Sequence, residues 1–218
     1  MTNKKIDETK LMEVNIRSVI KHIGENPDRE GLKDTPKRVV KMWKELFRGY
    51  SEKPPKVTTF TNGNDDVNYD QMINDNGDYY SHCEHHMVPF FGKFYFAYIP
   101  DSPENKGRVV GLSKVARVVD YFSARLQIQE RLGQNIVDYL WEALSCGDEY
   151  EEKDGEIKKC INTKTQPIAM GLVLEGKHLC KSMRGAKKEG CMRTAILKGT
   201  FKTDPSARSE FLSWVNNR

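Results

Sequence analysis

Apolar residues recur along this chain with two periods. Met12, Ile16, Val19, Ile20 and Ile23 follow helical spacing, and Gly24 suits the residue just past a helix end. Thr35-Pro36 reads as N-cap and first helical residue, ahead of a stripe of Val39, Val40, Trp43, Leu46 and Phe47, with Gly49 near its end. Residues 51–78 are rich in Pro, Asn, Asp and Gly, which predicts mostly loop with a short strand at 57–61. Residues 90–99 predict a strand, with Phe94, Phe96 and Tyr98 on one face and Lys93, Tyr95 and Ala97 on the other. Residues 100–107 form a turn.

Ser113 is the expected N-cap of a helix with Val115, Val118, Val119 and Phe122 at i, i+3, i+4 and i+7. A longer helix places Ile128, Leu132, Ile136, Tyr139, Leu140 and Ala143 on one face. Residues 146–165 form a polar insertion with an acidic run at 148–152, expected as a solvated surface excursion. Ile168, Met170, Leu172 and Leu174 alternate, predicting a strand at 167–175, and a further strand covers roughly 192–202. Asp204-Pro205 opens a last helix with Phe211, Leu212 and Val215 inside. Helices, strands, helices, strands and a helix in that order predict an α+β fold on an antiparallel sheet, not an alternating parallel one. Residues 1–50 form an N-terminal helical arm and 51–218 the main domain.

Composition narrows the class. At 218 residues and 25.1 kDa the chain can bury a core without disulfides. No run of about 18 apolar residues exists to span a membrane. The first ten residues, MTNKKIDETK, lack the apolar segment of a secretory signal. Five cysteines, an odd number, fit a reducing compartment, where they serve as metal ligands or inert thiols more often than as disulfides. A cytoplasmic location is the expectation. Lys plus Arg is 35 and Asp plus Glu is 31, a net +4 that falls short of a nucleic-acid-binding signature. It leaves room for a local basic pocket around an anionic small molecule.

The chemistry clusters around histidine and cysteine. His82, His85, His86 and His178 lie beside Cys83 or Cys180. Cys83 and His86 are three apart and can face one ion across a turn. Cys180 follows the strand that ends near Leu174. Two sulfurs and one nitrogen give zinc three protein ligands and an open fourth position; a structural zinc needs a fourth protein ligand. Spacing alone equally permits Cys83 and Cys180 to be unrelated buried thiols. His85 and His178 suit proton transfer near neutral pH, or orientation of a ligand. Lys114 and Arg117, Arg38 and Lys41, and Arg184 together can make a polyphosphate cradle, although each pair alone reads as a solvated face. Glu130 can accept two parallel hydrogen bonds from a guanine edge, or can be an ordinary carboxylate at a helix start.

These residues resemble the GTP cyclohydrolase I family. Residues 31–42 (GLKDTPKRVVKM) resemble its N-terminal helix motif, and Cys83-Glu84-His85-His86 with Pro89-Phe90 its zinc and catalytic motif. Gly111-Leu112-Ser113-Lys114 resembles its phosphate-side motif, residues 125–132 (RLQIQERL) its purine-binding helix, and His178-Leu179-Cys180 with Met183-Arg184-Gly185 its last site motif. The resemblance implies Cys83, His86 and Cys180 as zinc ligands and His85 and His178 as proton carriers. It implies Glu130, with Gln129 nearby, on the guanine edge, and Leu112 with the motif that follows it at the substrate. Ser113, Lys114, Arg117, Arg184, Arg38 and Lys41 would hold the triphosphate. It further implies the tunnelling fold, an antiparallel sheet backed by two helices, and a ring-shaped homodecamer with active sites shared between subunits. The implied reaction opens the imidazole ring of GTP, releases formate and closes a new ring to 7,8-dihydroneopterin triphosphate.

Three features depart from the family pattern. Asn74-Asp75-Asn76-Gly77-Asp78 interrupts the usual hydrophobic strand before the zinc motif, the loop 101–108 is long, and the insertion 146–165 carries Cys146 and Cys160. Two rival readings use the same fold. A nitrile reductase of queuosine synthesis should lack the complete Cys-His-Cys set and the triphosphate cations. A catalytically silent zinc-binding paralogue should have lost His85, His178 or Glu130. This chain keeps all of them.

Overall fold

The computed structural model describes residues 7–146, 150–153, 156–160 and 165–217. They form two compact units, Met1–Arg48 and Gly49–Arg218. In the first, α1 (Glu8–His22) is capped by the Asp7 side chain, which accepts from the amides of Thr9 and Lys10, and Gly24 follows its end at φ +94°. The second helix, α2 (Thr35–Leu46), starts one residue earlier than its sequence suggests. Asp34 takes the flanking position and Thr35 is already helical. Ile20 and Val40 are buried.

The second unit is built on a five-stranded sheet. Its strands are β2 (Ile73–Cys83), β3 (Pro89–Ile99), β5 (Leu126–Gln127), β8 (Ala169–His178) and β9 (Met192–Gly199), in the order β5-β2-β3-β8-β9. All pairs are antiparallel except β2–β5. A small ladder joins β1 (Thr59–Thr61) to β4 (Arg108–Val110), and a hairpin joins β6 (Tyr150–Lys153) to β7 (Glu156–Cys160). That hairpin is backbone order within the stretch expected as a plain surface excursion.

Helices α3 (Leu112–Ser123) and α4 (Gln129–Cys146) lie on one side of the sheet. Val115, Val118, Phe122, Leu132, Ile136 and Leu140 pack there in one cluster with Phe90, Phe94, Phe96 and Tyr98 of β3 and Leu172 and Leu174 of β8. The opposite face of β3 and β8 (Tyr95, Ala97, Ala169, Val173) meets Phe201 of α6 (Thr200–Thr203) and Phe211 and Val215 of α7 (Pro205–Asn216). Both faces of the central strands are therefore buried, which explains their nearly continuous apolar sequence. The arrangement is α+β, an antiparallel sheet backed by two helices, as the element order predicts.

Four further expectations change. Residues 73–78, expected as loop, are the first half of β2, paired through Ile73↔Tyr98 to Asp78↔Lys93. Backbone pairing to β3 forms this strand despite its polar side chains, and Gly77 belongs there because a Cβ would come within 2.8 Å of the Phe94 ring. The helix α3 is capped by Gly111, in extended conformation, and not by Ser113, which already lies within the first turn. The strand expected to reach residue 202 ends at Gly199, where the chain turns at φ +58° into α6. Cys146, at the end of α4, is disulfide-bonded, whereas Cys83, Cys180 and Cys191 are free thiols. The side chain of Cys160 lies outside the described residues. No described helix is long and apolar enough to cross a membrane.

Candidate metal centre

Strand register assembles the centre. In β2–β3, His82 faces Pro89, and in β3–β8, Phe90 faces His178. The end of β2 and the end of β8 therefore flank the first residues of β3. Residues 83–88 turn tightly: the amides of His86 and Met87 donate to the Cys83 carbonyl at 3.3 and 2.8 Å, and the Cys83 amide donates to Val88 O at 2.9 Å. Met87 takes the left-handed conformation, at φ +54°. Cys83 and His86 thus stand at the two ends of one turn. After His178 the chain enters a single helical turn, α5 (Leu179–Ser182), which carries Cys180 toward them.

The ligand atoms of Cys83, His86 and Cys180 all lie within 4.8 Å of one another. Cys83 is buried, Cys180 half-buried and His86 exposed, so the group opens to one side. Burial, and then the neighbouring Cys83 thiol, push the Cys180 thiol above its usual range. A divalent cation reverses that preference, because thiolates bind it directly. Two sulfurs and an imidazole around a common point fit zinc with a fourth position open.

The two histidines expected to carry protons stand beside this group. His85 Nδ1 lies 3.5 Å from Cys83 Sγ. The His178 ring stacks on Phe90, with centroids 4.6 Å apart and planes within 4°. Burial lowers the pKa of His178, and the Glu130 carboxylate opposes that shift, which places its charge near the ring. Arg184 brings Nη1 to 2.9 Å from His86 Nε2. The expected site residues Cys83, His85, His86, Glu130, His178, Cys180 and Arg184 are thus brought to one end of the sheet.

Of the other expected residues, Leu112, Ser113 and Arg117 are exposed at the start of α3, with Lys114 half-buried. Arg38 and Lys41 are exposed on α2 of the first unit. The Gln129 side chain is fully buried, and its carboxamide meets the Leu174 and Met192 carbonyls, Thr194 Oγ1, the Tyr79 hydroxyl and His178 Nε2.

Sequence reasoning left a supporting layer unassigned. Arg131 Nη2 pairs with the Glu84 carboxylate, and its Nε donates to Gln127 Oε1 at 3.0 Å. Gln127 is itself buried, donating to Phe122 O at 3.0 Å, and its carbonyl accepts from the Glu84 amide at 3.1 Å. The cysteine–histidine turn is thereby tied to the start of α4. The signal was the i, i+4 spacing of Gln127 and Arg131, but Glu84 is distant in sequence.

The family model described as GTP cyclohydrolase I matches residues 12–149 and 151–216. A protein of Wolinella succinogenes named GTP cyclohydrolase 1 is 40% identical over 220 residues, covering 100% of both chains. Proteins of the same name from Bacillus pumilus and Caldanaerobacter subterraneus are 40% and 37% identical, covering 95% and 98% of this chain and 96% and 99% of their own.

Proposed function

This chain belongs to the GTP cyclohydrolase I family, and we propose on that footing that it opens the imidazole ring of GTP, releases formate and forms 7,8-dihydroneopterin triphosphate. The observation that carries the reading is the Cys83–His86–Cys180 group with two further histidines beside it. Those three residues would hold zinc. Bound there, zinc supplies a Lewis acid that activates water near neutral pH.

The chain's own groups do the rest. His85 and His178 carry protons to and from the purine nitrogens and the opening ring. The Glu130 carboxylate accepts from the N1–H and exocyclic amine of guanine, which fixes the base. Arg184, Lys114 and Arg117, with Arg38 and Lys41, neutralise the triphosphate, Ser113 hydrogen-bonds it, and Leu112 stands with that motif at the substrate. By family resemblance the assembly is a homo-oligomer, a decamer, in which the α3 cations serve a neighbouring copy's metal centre. The expected location is cytoplasmic.

The test is incubation of the purified protein with GTP, with and without a strong chelator, following formate and the fluorescence of the oxidised pterin. Equal formate and pterin, both abolished by chelator and restored by zinc, are the expected result. Formate without pterin would show ring opening without cyclisation. Neither product from a folded, zinc-loaded protein would overturn the reading.

A further inference from the structure

Gln129 is the first residue of α4 and is fully buried. Its Nε2 lies 3.0 Å from the carbonyl oxygens of Leu174 and Met192, and 3.0 Å from Thr194 Oγ1. Two of these three are carbonyls, which only accept, so the amide nitrogen and not the oxygen must face them. Turned the other way, the amide would set oxygen against two carbonyl oxygens in a buried site and leave its own N–H groups without them. The orientation is therefore determined by the backbone of β8 and β9.

Its oxygen then faces the other way. Oε1 accepts from the Tyr79 hydroxyl at 3.2 Å and lies 2.9 Å from His178 Nε2. An amide oxygen is only an acceptor, so His178 Nε2 must carry a hydrogen. The neutral ring then has its lone pair on Nδ1. Phe90, stacked on the imidazole, holds the plane in which this bond is made.

Glycine makes the route possible. A Cβ at Gly176 would come within 2.2 Å of Gln129 Oε1 and 2.6 Å of the Tyr79 hydroxyl. Only a residue without a side chain lets the carboxamide cross β8 to reach the histidine.

We propose that Gln129 is a positioning residue that holds His178 as the Nε2–H tautomer, leaving Nδ1 as the nitrogen that exchanges protons with substrate. Gln129 is then not a reader of the guanine edge. The assignment of His178 as a proton carrier rests on the function proposed above; the tautomer itself rests only on the hydrogen bonds.

The test uses full-length, zinc-loaded protein with ring-¹⁵N histidine and reads each tautomer by solid-state NMR, where assembly size is no obstacle. With five histidines in the chain, a His178→Asn variant identifies the signal. At a pH where the ring is neutral, the expected spectrum has His178 protonated at Nε2. Gln129→Met should lose that preference. Its kcat should fall by about 10–100-fold, the usual effect of removing an outer-shell partner, while KM for GTP stays within about threefold. Gly176→Ala should displace the amide and reproduce both effects with residue 129 intact.

A wild-type His178 protonated at Nδ1 overturns the proposal, and that spectrum needs no variant to fold. So does a folded Gln129→Met enzyme with unchanged kcat and a KM raised tenfold or more, the mark of a lost substrate contact. If the wild-type protein turns over no GTP yet shows the Nε2–H tautomer, the functional reading fails and the positioning of the ring stands.

Discussion

Cys83 and His86 reach one point because the turn between them is closed by three backbone hydrogen bonds, and Cys180 joins them from a separate strand end. Ligands and proton carriers should therefore separate cleanly in experiment. Cys180→Ser is expected to retain its fold and lose zinc together with all turnover, measured by elemental analysis beside formate release. His85→Ala should keep full zinc occupancy while turnover falls by about 10²–10⁴-fold, the span of a general acid–base contribution. A zinc-replete, active Cys180→Ser enzyme would remove that residue from the ligand set. The support from Arg131 is weaker, because its pair with Glu84 is partly exposed. Such a pair is screened by solvent and contributes little. Arg131→Met should thus weaken zinc binding by no more than about fivefold in competition with a chromogenic chelator, and a far larger loss would mean the turn depends on it for folding.

Among the elements, β4 is held by a side chain as well as by its ladder to β1. The Val110 amide donates to the Tyr98 hydroxyl of β3 at 3.0 Å. Tyr98→Phe leaves that amide without its partner, which should cost about 1–3 kcal/mol in urea unfolding. Burial pushes the Tyr98 phenol up to about 12. A group raised in the folded state contributes fully below its unfolded pKa of about 10 and loses that contribution as pH climbs through the folded value. Wild-type stability should accordingly fall between about pH 10 and 12, and less steeply in Tyr98→Phe.

The same strands show what was readable beforehand. Phe94, Phe96, Tyr98 and Leu172 lie in the core that their alternation predicts, as do the α3 stripe and the α4 stripe from Leu132 to Ala143, while Ile128 precedes α4 and is half-buried. Residues 73–78 were not readable, because their strand is imposed by pairing with β3 and their side chains satisfy no apolar period. Ser113 outscores Gly111 as a cap by residue type, yet Gly111 is the residue in extended conformation before the helix. At the site, spacing raised the metal group as one of two readings, and the resemblance of its two short motifs to a known family decided between them. Gln129 was not, since the partners that turn its amide inward (Tyr79, Leu174, Met192 and Thr194) are scattered through the chain and act through backbone atoms as much as through side chains.

At the scale of the whole molecule, the Cys83–His86–Cys180 group stands at the ends of β2 and β8 and the cations at the start of α3. The triphosphate site proposed above needs them together. If neighbouring subunits supply them to each other, two inactive variants can repair one another. His178→Ala breaks the proton-transfer half of a site, and Lys114→Ala breaks the phosphate half. In a hybrid assembled from both, some sites receive His178 from one chain and Lys114 from the other. With equal, random mixing, roughly a quarter of the sites are intact, since each half is intact half of the time in a closed symmetric assembly. Co-expression of the two variants under different affinity tags, followed by tandem purification of hybrids, should therefore recover roughly a quarter of wild-type kcat per site, against almost none in either parent. The mass of the hybrid by light scattering would report the number of subunits in the same sample. Hybrids of confirmed mixed composition that stay as inactive as their parents would place both halves of the site on a single chain.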